Sequence, residues 1–321
     1  MADIPGTGGD DTLVDTSGSD TIDASGGNDT ITVTNGTDTV QGGSGSDRLV
    51  VNYSSATSNV TSDAPPAFNN TLGGFNGLYY NSSGRRVDYS SIEHFTITTG
   101  VGADVITTAT GDDVVSTGGG NDIVNVGSGI NQADGGTGDD GVSADFGEMA
   151  AGVSIDLRNP TSSGAFGSYS NFDYFGTVTG TAYDDVFVGT ASAHAASVET
   201  ISLGGGNDSA TVFNGYDVVN GGSGSDRLVV DYSSATSPVS TISGPTANDT
   251  LGGFNGLYYN STGRRVDYSS IEHFTISTGA GADVIVTGNG DDVVSLGGGD
   301  DLVDFGSGND SGDGGTGSDG G

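Results

Sequence analysis

A nine-residue period constrains this 321-residue chain more than anything else in it. From Gly6 to Val50 five units lie end to end: "GTGGDDTLV", "DTSGSDTID", "ASGGNDTIT", "VTNGTDTVQ" and "GGSGSDRLV". The fourth position is always glycine (Gly9, Gly18, Gly27, Gly36, Gly45), the sixth always aspartate (Asp11, Asp20, Asp29, Asp38, Asp47), and the eighth is Leu, Ile or Val. A flexible Gly/Ser/Asp linker would not hold three residue types in frame for so long. A second run, Thr99 to Ser143, keeps the frame with Gly102 and Asp104, Gly111 and Asp113, Gly120 and Asp122, and Gly138 and Asp140. Its fourth unit, "VGSGINQAD", is degenerate, with Asn131 in the acid position and Ala133 in the apolar one.

The segment Gly26–Val142 recurs without a gap as Gly205–Gly321, so the chain is a tandem duplication. The second copy supplies Gly206, Gly215 and Gly224 with Asp208, Asp217 and Asp226. It then supplies Gly281, Gly290, Gly299, Gly308 and Gly317 with Asp283, Asp292, Asp301, Asp310 and Asp319. Asp185 stands in the acid position of the unit that precedes this copy. The period divides the chain into repeat segments 1–50, 99–143, 180–229 and 278–321, separated by segments 51–98, 144–179 and 230–277. The first and third of these interruptions are duplicates, and all three read as β excursions that return to one scaffold.

Glycine-rich residues can turn the chain through positive φ, and the three residues that follow alternate polar, apolar, polar, as a short strand does. One inward apolar side chain per unit cannot bury a face alone, so the units must stack into a parallel coil with two units, or 18 residues, per turn. Aspartates 18 apart then lie one above another on each edge, where like charges repel unless a cation separates them. Calcium suits such an edge, because it takes six to eight oxygens in flexible arrangements and combines carboxylates with carbonyls.

Composition agrees with that reading. The chain has 60 glycines, only 32% hydrophobic residues and no cysteine, which leaves too little apolar surface for an ordinary core and no disulfide or thiolate site. Its net charge is −35, from 42 acids against seven arginines. A charge of that size turns away nucleic acid and anionic membrane and favours cations as partners. No apolar run is long enough for a membrane helix, and the N-terminus lacks the pattern of a cleaved secretory signal.

The nonapeptide resembles the RTX, or haemolysin-type, calcium-binding repeat, G-G-x-G-x-D-x-U-x. The resemblance implies an all-β right-handed parallel β-roll, with Ca²⁺ held between successive turns by the aspartates named above and by carbonyls of the glycine turns. Pairing aspartates on the same edge gives roughly nine or ten ions. It also implies type I export and an extracellular or cell-surface location, with folding gated by low calcium inside the cell and high calcium outside. The export signal usual in the family is not seen before Gly321, which suggests a fragment of a longer protein.

The interruptions carry aromatic and basic residues in "FNGLYYNSSGRRVDYSS" and its copy: Tyr79, Tyr80, Arg85 and Arg86, and Tyr258, Tyr259, Arg264 and Arg265. They read either as hairpins whose rings cover the roll and whose arginines pair with its acidic edges, or as a face for an acidic polysaccharide. His94, His194 and His273 fit structural or exposed roles, and no zinc, nucleophile-elbow or cysteine motif is present. A non-enzymatic role is therefore expected. The first candidate is a structural surface, matrix or adhesin segment that associates head to tail into filaments. A glycan-binding module and the repeat region of a larger secreted toxin or hydrolase are the alternatives.

Overall fold

The structure is a computed structural model that describes all residues except 63–64, 160, 192–197, 242–243, 249 and 251. The His194 expectation falls outside the described residues. Among those described there is no helix, and the chain runs through short strands joined by glycine turns. It divides into two units, Met1–Asp145 with Pro160–Phe172, and Phe146–Asn159 with Asp173–Gly321.

In the first unit alternate repeats build two faces. One stacks Thr12–Val14, Thr30–Val33, Arg48–Asn52, His94–Thr98, Val114–Ser116, Asn131–Asp134 and Gly167–Ser170 in parallel. The other begins with Asp3–Pro5, Thr21–Asp23 and Thr37–Gln41. Register advances by 18 residues per rung, Ile22 opposite Val40 and Ile31 opposite Leu49. The eighth-position residues Ile22, Ile31, Val40 and Leu49 are fully buried, so each short strand contributes one aliphatic layer to a continuous core.

The interruption after Asn52 is sewn into the second face. Arg86–Ile92 pairs parallel with Thr37–Gln41 and antiparallel with Phe75–Asn81, which pairs antiparallel with Val60–Ser62, beside Val105–Thr107. Its core is aromatic. Tyr79, Tyr89 and Phe95 meet with ring centroids 5.1 to 6.0 Å apart, and the Tyr79 hydroxyl donates to the Thr107 carbonyl at 2.9 Å.

The second unit repeats this arrangement with Tyr258, Tyr268 and Phe274, and with Tyr216–Asn220, Arg265–Ile271, Phe254–Asn260 and Val239–Thr241 side by side. Its other face stacks Ser154–Asp156, Val186–Val188, Ser209–Val212, Arg227–Asp231, His273–Ser277, Val293–Ser295 and Ser311–Asp313. Tyr79 and Tyr258, which the sequence offered as ligand-facing residues, are fully buried core residues instead. Strand alternation turns them inward while Tyr80 and Tyr259 remain half-buried. Arg86 and Arg265 pair with Asp88 and Asp267 of their own strands, two residues on.

Candidate metal centre

The turns are compact because stacked turns touch. Gly45 has φ +140°, and a Cβ there would stand 1.7 Å from the carbonyl oxygen of Gly27, 18 residues earlier. Only glycine allows this approach.

Asp29, Asp38, Asp47, Asp104, Asp113, Asp122, Asp140, Asp185, Asp208, Asp217, Asp226, Asp283, Asp292 and Asp301 are all nearly or wholly buried, while Asp11 and Asp310 are half-buried and Asp319 is exposed. Except at Asp217, one carboxylate oxygen of each buried aspartate, Oδ1, accepts a backbone N–H from the rung before. The bond runs from Asp11 to Asp29 at 2.8 Å, Asp20 to Asp38 at 2.9 Å, Asp29 to Asp47 at 2.9 Å, Asp104 to Asp122 at 2.7 Å and Asp283 to Asp301 at 2.7 Å.

The other oxygen is placed differently. Oδ2 of Asp29, Asp38, Asp47, Asp208, Asp226 and Asp301 is buried without a hydrogen-bond partner. Asp104, Asp113, Asp122, Asp283 and Asp292 have the same buried Oδ2, with a threonine at the first position of each turn near enough to favour the ionised carboxylate. Three rungs satisfy Oδ2 within the turn itself, the first being Asp11, which takes the N–H and the hydroxyl of Thr7. Asp20 takes both the N–H and the hydroxyl of Thr16 at 2.7 Å, and Asp185 takes the N–H of Thr181 at 2.6 Å. Burial dominates the titration: it pushes Asp38, Asp47 and Asp226 up to about 6 and Asp113 and Asp208 up to about 7. Buried anionic oxygens without partners are costly, and a bound cation removes that cost.

Asn131 shows what Oδ2 faces. Its Oδ1 accepts from Asp113 as an aspartate would, at 3.0 Å, while its Nδ2 donates to the carbonyls of Val126 and Gly129, the first and fourth positions of its own turn. An amide nitrogen there meets two turn carbonyls. An aspartate in the same setting gathers oxygen atoms only, the donor chemistry of calcium rather than of zinc or copper. No three His, Asp or Glu side chains converge among the described residues, so turn carbonyls must complete any shell.

Several carboxylates in these rows escape the sequence pattern. Glu93 and Glu272, at the ends of the interruptions, accept the N–H of Asp47 and Asp226 at 2.7 Å through Oε2, each standing in for the next aspartate. Nothing in the period marks them, because the interruption resets the count. Glu199 occupies a sixth position nine residues before Asp208, so the period itself marks it. It lies opposite Asp217 in register, and Asp217 has neither oxygen bonded. Burial raises Glu199 to about 7 and, with the Glu199 charge, Asp217 to about 9. Fifth-position side chains form a further outer ladder, with Asn28 N–H on Asp10 at 2.8 Å and Asp112 N–H on His94 Nδ1 at 3.1 Å.

The family model of the RTX calcium-binding nonapeptide repeat, four copies long, matches residues 5–40, 32–50, 98–133, 196–228 and 277–312. No curated protein matches the chain. The matched segments hold most of the buried aspartates, in an all-β parallel roll with no helix among the described residues. These segments of the chain carry the RTX calcium-binding nonapeptide repeat.

Proposed function

We propose that calcium gates the folding of this chain, which then serves outside the cell as a structural surface, matrix or adhesin segment. The observation that carries the first part is the row of buried Oδ2 atoms without partners. The sixth-position aspartates supply the charged oxygens, and carbonyls of the first and fourth turn positions supply neutral ones, as the contacts of Asn131 indicate. Bound Ca²⁺ contributes charge neutralisation between rungs, where a −35 chain would otherwise repel itself. Because each carboxylate is set in place by its Oδ1 bond to the rung before, binding free energy is folding free energy.

The extracellular role rests on the calcium difference across the cell envelope and on the repeat itself, which is a structural calcium-binding unit rather than a catalytic one. Calcium titration followed by far-UV circular dichroism tests the gating. A cooperative rise of strand signal supports it, and a spectrum unchanged from chelator to millimolar calcium removes it.

A further inference from the structure

The second unit carries a feature absent from its duplicate. Register places Val198, Tyr216, Arg265 and Tyr259 in one row across four neighbouring strands. Their chain neighbours Asp217, Val266 and Tyr258 are buried, so the row faces outward. Tyr216 is 37% exposed and fixed in place: Arg265 Cζ lies 4.9 Å from its ring centroid, and its hydroxyl donates to Asp267 Oδ2 at 2.8 Å. Arg265 grips the same carboxylate through Nε at 2.7 Å and Nη2 at 2.8 Å, which neutralises its charge.

A cleft of about 270 Å³ lies against this row, lined by Tyr216, Leu257, Tyr259, Asn260, Arg264 and Arg265. A second hollow of about 410 Å³ shares Arg264 with it and adds the amide and hydroxyls of Asn214, Ser234, Thr236 and Thr262. Asn260 is only 5% exposed, and its Nδ2 has no hydrogen-bond partner. Arg264 bonds only neutral oxygens, Asn214 Oδ1 at 2.6 Å and Ser234 Oγ at 3.0 Å, so its charge has no carboxylate among the described residues.

We propose that this cleft binds a carboxylate-bearing saccharide, with Tyr216 and Tyr259 stacking on pyranose C–H faces and Arg264 receiving the carboxylate. Rigid aromatic faces, amide and hydroxyl partners for sugar hydroxyls and one uncompensated guanidinium together match that ligand class. The first copy keeps Tyr80, Asn81, Arg85, Arg86 and Asp88 but has Thr37 where the second has Tyr216, so it lacks the outer ring and serves as an internal control.

The test is isothermal titration of the full chain in millimolar calcium with trigalacturonate, and with maltotriose as the neutral control. One trigalacturonate per chain is expected, with maltotriose at least tenfold weaker. Tyr216→Thr, which installs the first copy's residue, should weaken binding tenfold or more, and Thr37→Tyr should raise the stoichiometry to two. Arg264→Gln should erase the preference over maltotriose. Circular dichroism before each titration separates a chain that failed to fold in calcium from one that folded and does not bind. No binding by the folded chain, equal binding of maltotriose, unchanged binding by Tyr216→Thr, or a Thr37→Tyr chain that still binds one ligand would each overturn the proposal.

Discussion

At the scale of single residues, the chain contains its own control for the metal centre. Asn131 closes its turn without an ion, because its amide donates where an aspartate would present a second oxygen. Asp29→Asn should therefore let one turn close in the absence of metal. The metal-free chain should gain about 1–3 kcal/mol, the cost of a buried unsatisfied polar group, and calcium stoichiometry by titration calorimetry should fall. Asn131→Asp should do the reverse on both counts.

Protonation offers the same relief. Asp47 and Asp226 titrate at about 6, and Asp113 and Asp208 at about 7, in the folded chain, against 3.8 for an ordinary aspartate. For carboxyls raised by folding, the folded state binds more protons, so the metal-free fold is favoured most below about pH 4 and loses stability as pH climbs toward 7. Circular dichroism in chelator should show more strand signal at about pH 4 than at about pH 8. A flat profile would contradict the burial of these groups.

At the scale of elements, the turn and the hairpin fail in different ways. Gly45→Ala forces a side chain into positive φ and onto the Gly27 carbonyl, and should cost on the order of 3 kcal/mol or more. Gly8→Ala meets nothing within 4 Å and should stay within about 0.5 kcal/mol. Thermal unfolding in saturating calcium distinguishes the two. In the interruption, Tyr79→Phe leaves the Thr107 carbonyl without its donor and should cost about 1 kcal/mol, whereas Tyr79→Ala empties the aromatic cluster and should cost about 3–5 kcal/mol. Both effects should recur at Tyr258 in the second copy.

The period is legible where it governs local geometry. Glycine at the fourth position, aspartate at the sixth and an aliphatic residue at the eighth follow from one turn and one short strand, and the 18-residue register follows from their alternation. The pattern does not say which carboxylate continues a row across an interruption, so Glu93 and Glu272 escape it. Their place depends on where Arg86–Ile92 and His94–Thr98 land in the sheet, which is a tertiary matter. Tyr79 and Tyr258 mislead for a related reason. "LYY" offers two adjacent rings, and only strand direction decides which of them turns inward. Tyr216 carries no mark in the sequence because it belongs to a repeat unit, not to the Tyr/Arg segment it faces.

At the scale of the whole chain, the proposed gating ties stability to charge and metal together. A net charge of −35 with 32% hydrophobic residues sets self-repulsion against a thin core of single aliphatic layers. The aromatic interruptions add conventional core to each unit, yet the aspartate rows run through both. Size-exclusion chromatography with light scattering, on the chain in chelator and again in millimolar calcium, tests the metal-gated fold most directly. The expected result is an expanded species in chelator that becomes hydrodynamically smaller, at unchanged mass per chain, when calcium is added. A hydrodynamic size indifferent to calcium would contradict it.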